Sequence, residues 1–180
     1  MQILWMNLVT DGLPAIALGV DPVDPDVMTR KPRDPKEGVF SRGLGLKIAS
    51  QGVFIGLCTI AAFLVSLFLH ADITRARTVA FTSLVMAQLL YVFHCRSEYR
   101  SIVELNPWSN PYLVGAVLIS SVMQVSVVYW PAVQRVFHTV PLRGVDWLII
   151  LVFSGWSSAL AVVARKARRA LLRHMSVVRA

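Results

Sequence analysis

Four stretches of this chain, Ile48 to Leu69, Thr78 to Phe93, Tyr112 to Trp130 and Trp147 to Ala164, contain no Asp, Glu, Lys or Arg. Each comes close to the roughly 20 apolar residues that a helix needs to cross the hydrocarbon of a bilayer. With the apolar segment over residues 1–20 they predict five spans, at about 1–20, 48–69, 78–93, 112–130 and 147–164. The expected fold class is therefore an all-α integral membrane bundle. Composition agrees: 56% of the 180 residues are hydrophobic, and the mean hydropathy of +0.60 lies outside the range of ordinary soluble domains.

The run over 78–93 is the shortest, and the stems of Arg75 and Arg77 are expected to snorkel along its end and lengthen it. Trp108, Tyr112, Tyr129, Trp130 and Trp147 stand at segment ends, where amphipathic rings prefer the headgroup layer. Residues 1–20 have no basic leader, and Asp11 interrupts what would be the apolar core of a signal peptide, so this segment reads as a span.

The formal net charge of +8 is a statement about topology rather than about nucleic acid. No aromatic platform or phosphate-tracking stripe accompanies the basic residues, so a nucleic-acid partner is excluded and the lipid bilayer is the expected environment. Assigning loops alternately to two sides puts fourteen of the eighteen Lys and Arg on one side (six in 21–47, two in 94–110, six in 165–180) and four on the other. By the positive-inside rule the 21–47 loop and the basic tail 165–180 are cytoplasmic. The tail also suits an anionic lipid surface. Cys58 and Cys95 fall near opposite ends of the bilayer, so together they are expected to make neither a disulfide nor a metal site. Gly52 and Gly56 form a GxxxG pair that lets a second helix approach closely.

The chemistry concentrates in NLVTDGLPAIALG, residues 7–19. Asn7, Thr10 and Asp11 are spaced to share one broad helical face. Asp11 is the one acid in any of the five runs, and burying it at mid-bilayer costs on the order of 3 kcal/mol. Gly12 and Pro14 follow at once, and a proline that removes a helical N–H beside a flexible glycine predicts a helix broken at Gly12–Pro14. Broken helices at membrane depth free carbonyls and aim half-helix ends at ions. Amide, hydroxyl, carboxylate and carbonyl oxygens suit calcium or another hard cation. The same three side chains can instead join helices by hydrogen bonds, so both readings stand at this point.

ILWMNLVTDGLPAIALGVDP, residues 3–22, resembles the sixth transmembrane helix of calcium-transporting P-type ATPases. MTRKPRDPKEGVFSRG, residues 28–43, is similar to the cytoplasmic loop after that helix, and LNPWSNPYLV, residues 105–114, to the entry of the ninth. The resemblance covers helices six to ten. It implies that Asn7, Thr10 and Asp11 donate oxygens to a transported Ca2+. Two-site pumps of this family also use a glutamate on the eighth helix; the corresponding position here is Gln88, which implies one calcium per cycle or a packing role for Gln88.

The family's Asp-Lys-Thr-Gly-Thr phosphorylation motif, Thr-Gly-Glu loop and Gly-Asp-Gly hinge have no counterpart in these residues. ATP and Mg2+ would then act only through cytoplasmic domains outside this chain, and the chain alone is not expected to hydrolyse ATP. Its implied partners are the remaining helices and cytoplasmic domains of a parent pump in the plasma (inner) membrane, with ATP-driven calcium export as the function. The alternative from another class is a non-enzymatic small membrane protein that associates with a pump or another membrane partner.

Overall fold

The computed structural model describes residues 1–22, 27–29, 38, 44–96, 107–159 and 162. Most of the 21–47 loop and the whole 165–180 tail lie outside the described residues, as do the side chains of Thr10 and Asp11. Every regular element among the described residues is helical. The first span candidate comprises α1 (Gln2–Met6), a π-helical turn (Asn7–Gly12) and α2 (Leu13–Gly19). After it come α3 (Leu44–His70), α4 (Ile73–Cys95), α5 (Pro111–Tyr129), the short α6 (Pro131–Phe137) and α7 (Gly144–Ala159).

Helix starts follow from local chemistry. Asp72 caps α4, its carboxylate accepting from Thr74 N at 2.9 Å. Asn110 caps α5 in the same way, its Oδ1 accepting from Leu113 N at 3.0 Å, with Pro111 at the first helical position where a missing N–H costs nothing. The connection between α3 and α4 is only two residues long because Ala71 takes a left-handed conformation, φ 50°, and reverses the chain at once.

α3, α4 and α5 are each long and apolar enough to cross a membrane; α7 is shorter over its described length. Of the three, α4 is central. Half of its most apolar window is buried, against 22% for α3. Val79 packs with Ala62 of α3, Val128 of α5 and Ile149 and Ile150 of α7. Further along, Phe81, Val85 and Leu89 pack with Val127 of α5 and with Trp5 and Met6 of α1. The outer face of α3 presents Val53, Leu57, Ile60, Leu64 and Phe68, a surface suited to lipid rather than water.

Two departures from the sequence-based expectations stand out. Arg75 does not simply snorkel: it lies in the first turn of α4, and its Nη1 donates to Asp146 Oδ2 at 2.9 Å. Asp146 is fully buried, takes a second bond from Arg143 N at 2.8 Å and faces His70 Nε2 at 3.1 Å. Being the third residue of α7, Asp146 reaches back to the N–H of the residue before the helix and caps it, while also clasping the α3–α4 hairpin. Nor is the first helix interrupted at Gly12–Pro14. Gly12 (φ −65°, ψ −68°) and Leu13 (φ −63°, ψ −46°) stay right-handed helical, and the irregularity appears as a widened π turn immediately before the proline.

Removing one partner of a buried ion pair strands the other. Arg75→Met is expected to lower stability by about 3 kcal/mol or more, and Arg75→Met with Asp146→Leu to recover most of that loss. Thermal unfolding of the purified chain in detergent checks both.

Candidate functional site

The π turn carries three of the four sequence-predicted ligands. Asn7 begins it and its side chain is exposed; Thr10 and Asp11 follow on the same turn. Gln88 is on α4, partly buried, with its Oε1 out of reach of solvent and without a hydrogen-bond partner among the described residues. The turn packs against both α4 and α5. The structure thus brings the Asn7–Asp11 segment against the helix that carries Gln88, and no hydrogen bond joins Asn7 to Gln88 among the described residues.

Proline explains why the turn is π. In an α-helix the carbonyl of residue 10 would need the N–H of residue 14, and Pro14 has none. Widening the preceding turn to i→i+5 spacing moves the register past the gap, which is how π turns commonly arise inside α-helices. The shift exposes a second difficulty. In π spacing the carbonyl of Val9 would look to residue 14, again Pro14. Val9 is only 2% exposed, so water does not reach it. Its carbonyl accepts instead from Ser120 Oγ of α5 at 2.9 Å. One of the freed carbonyls that the sequence offered as a ligand is therefore already engaged.

A second bond to α5 lies one helical turn away. Trp5 Nε1 donates to Gln124 Oε1 at 3.2 Å, and Gln124 Nε2 donates to Thr82 Oγ1 of α4 at 3.4 Å. Gln124 is fully buried. Next to this chain Trp5 meets Phe137 edge to face, centroids 5.2 Å apart, and Gln2 Nε2 donates to the Phe137 carbonyl at 2.8 Å. The π turn is thereby fixed to α5 from one side and to α6 from its N-terminal end.

The other end of the same helix is held by charge. Arg96 Nη2 and Nε bond Asp21 Oδ1 at 2.9 and 3.1 Å, Nε reaches Asp21 Oδ2 at 3.1 Å, and Nη2 also donates to Ser109 Oγ at 2.7 Å. Asn110, buried at 1% exposure, donates through Nδ2 both to Asp21 Oδ1 at 2.8 Å and to the Ala17 carbonyl at 3.0 Å. The Arg96 side chain is only 4% exposed, so this fork-on-carboxylate contact is a desolvated, geometrically specific one.

Sequence reasoning missed Ser120, Gln124, Asp21, Arg96 and Asn110. Two signals were available. Ser120 and Gln124 are four apart, polar, and inside an uncharged run, so they share one face of α5. Asn110 immediately precedes Pro111, a helix-start signature. Among the described residues no cluster of three or more His, Cys, Asp or Glu is placed to hold a metal ion.

A family model described as "Cation transporting ATPase, C-terminus" matches residues 1–167. The chain is similar to the "Calcium-transporting ATPase" of Bacillus subtilis (strain 168), 51% identical over 155 residues, covering 86% of this chain and 17% of that protein. It is similar to "Calcium-transporting ATPase 1" of Bacillus cereus, 39% identical, covering 86% of this chain and 19% of the relative. With "Calcium-transporting ATPase type 2C member 1" of Homo sapiens it is 35% identical, over 98% of this chain and 20% of the relative. The chain therefore spans about a fifth of the length of these relatives.

Gln124→Leu removes the acceptor of Trp5 and the partner of Thr82 together. A loss of about 1–3 kcal/mol is expected, the cost of leaving buried polar groups without partners. Denaturant titration of the chain in mixed micelles measures it; a neutral result would mean that Trp5 holds its place by packing alone.

Proposed function

The chain belongs to the family of cation-transporting ATPase C-terminal regions, and from that premise we propose that it forms the last membrane helices of an ATP-driven calcium pump and supplies part of the cation site. The observation that carries this reading is the coincidence of the Asn-x-x-Thr-Asp-Gly-x-Pro order with a π-helical turn inside an apolar helix. Irregular backbone at membrane depth persists only where protein buries it or where it lines a polar path. Here α4 and α5 pack against it and Val9 is buried, and its polar residues are oxygen donors of the kind that hard cations take.

In this mechanism Asn7, Thr10 and Asp11 bind Ca2+ when the site is open to the cytoplasm. The carboxylate of Asp11 offsets the ion's charge, and the amide of Asn7 and the hydroxyl of Thr10 replace part of its hydration shell. Calcium takes six to eight oxygens, so helices outside this chain complete the cage. Phosphorylation in the parent pump's cytoplasmic domains, which use ATP and Mg2+, rearranges the bundle and weakens the coordination, and the ion leaves on the far side. Gln88 stands where a second site would need an acid, which supports one calcium per cycle.

With five spans, the distribution of Lys and Arg favours the 21–47 loop and the C-terminal tail on the cytoplasmic side. The plasma membrane is the proposed location. α3, α4, α5 and α7 act as scaffold, and the Asp21–Arg96–Asn110 and Asp146–Arg75 clasps hold that scaffold at its two ends.

Asp11→Asn in the full-length pump keeps the shape of the side chain and removes its charge. It is expected to abolish calcium-dependent phosphorylation while leaving the protein inserted and monodisperse. Calcium dependence that stays unchanged removes Asp11 from the ligand set.

A further inference from the structure

The hydroxyls on these helices mostly bond within their own helix. Ser121 Oγ donates to the Val117 carbonyl at 2.8 Å, Ser154 Oγ to that of Ile150 at 2.6 Å, Ser157 Oγ to that of Ser154 at 2.7 Å, and Thr59 Oγ1 to that of Ile55 at 2.9 Å. Such back-bonding is what a hydroxyl does by default in an apolar helix. Ser120 departs from it. Fully buried, it sends its hydroxyl across to the Val9 carbonyl, 111 residues away in the chain.

That carbonyl has two possible partners inside its own helix. In π spacing the partner would be residue 14, which is proline and has no N–H. In α spacing it would be the N–H of Leu13. A buried carbonyl without a donor is strongly disfavoured in hydrocarbon. Without help from another helix, Val9 regains a bond only if the turn reverts to α register, which leaves the residue-10 carbonyl facing Pro14 instead. With the Ser120 hydroxyl in place, the π register leaves Val9 satisfied.

We infer that Ser120 is a positioning residue for the cation site, selecting the π register of Asn7–Gly12 through the Val9 carbonyl and so setting how Asn7 and Asp11 are presented to the ion. Ser120 touches no ion itself. Val9 lies between Asn7 and Asp11, and fixing its peptide plane fixes the turn on which both stand. Gln124, one turn along the same face of α5, holds Trp5 and keeps α1 against α5 while Ser120 sets the register. The inference rests on the proposed cation site, and the experiment separates the two.

Two readouts are compared for wild type, Ser120→Ala, Ser120→Thr and Asp11→Asn. The first is amide hydrogen exchange over residues 7–13 of this chain in lipid nanodiscs. The second is the calcium dependence of phosphorylation and transport in the full-length pump. Ser120→Ala is expected to speed exchange in the turn and to raise the calcium concentration for half-maximal phosphorylation roughly tenfold, the scale of one lost buried hydrogen bond. The maximal rate at saturating calcium should stay within about twofold of wild type, and Ser120→Thr, which keeps the donor, should restore both readouts.

A loss of maximal rate in Ser120→Ala that Ser120→Thr fails to restore marks Ser120 as structural only and overturns the inference. So does an unchanged calcium dependence in Ser120→Ala when Asp11→Asn has abolished it. Calcium dependence unchanged in Asp11→Asn overturns the cation-site reading, and the positioning role with it, whatever the exchange data give.

Discussion

A backbone carbonyl that loses its helical N–H inside hydrocarbon has to find another donor, and the organisation of this protein around its first helix follows from that requirement. Pro14 takes away an N–H, the turn before it widens, and the Val9 carbonyl is left facing a position that cannot donate. Ser120 supplies the missing proton from a different helix. A polar residue buried in a mostly apolar α5 is costly by itself. Here its cost is offset because it satisfies a group that would otherwise be stranded. The irregular turn and the helix that supplies its donor are joined directly by this bond.

The rest of the bundle holds that unit in place. Gln124 bridges Trp5 to Thr82, so α1, α5 and α4 meet through side-chain bonds as well as through the Phe81, Val85, Leu89 and Val127 cluster. Beyond α2, Asp21 is gripped by Arg96 and Asn110, which ties the end of the first helix to the end of α4 and the start of α5. At the opposite end Asp146 gathers Arg75, His70 and the start of α7. The ion pairs among the described residues sit at helix ends, where they fasten neighbours, while hydroxyls and amides join the helices between them. In the proposed transport cycle a rigid surround would pass motion elsewhere in the pump to this turn undamped.

The all-helical membrane class and the family were legible in the sequence for different reasons. Uncharged runs declare themselves through composition, since each residue contributes independently. The Asn-x-x-Thr-Asp-Gly-x-Pro order is local and long enough to recognise. Harder to read was what Pro14 would do. A proline after an acid and a glycine announces a disturbance, but whether the helix breaks or widens depends on whether a donor waits on another helix. That donor, Ser120, is 111 residues distant. Asp146 was hidden for the same reason: it reads as a loop residue until Arg75, 71 positions earlier, is seen to meet it. Asn110 is an intermediate case, because the Asn-Pro pair marks a helix start but gives no hint that the same amide also binds Ala17 and Asp21.

Isothermal titration of calcium into the purified chain, and into the same chain joined to the helices that precede it in the proposed pump, tests whether this chain holds one part of a shared calcium site. No binding above the detergent background is expected for the chain alone, and tight, single-site binding for the joined protein. Tight binding by the chain alone, or none by the joined protein, would contradict a shared site.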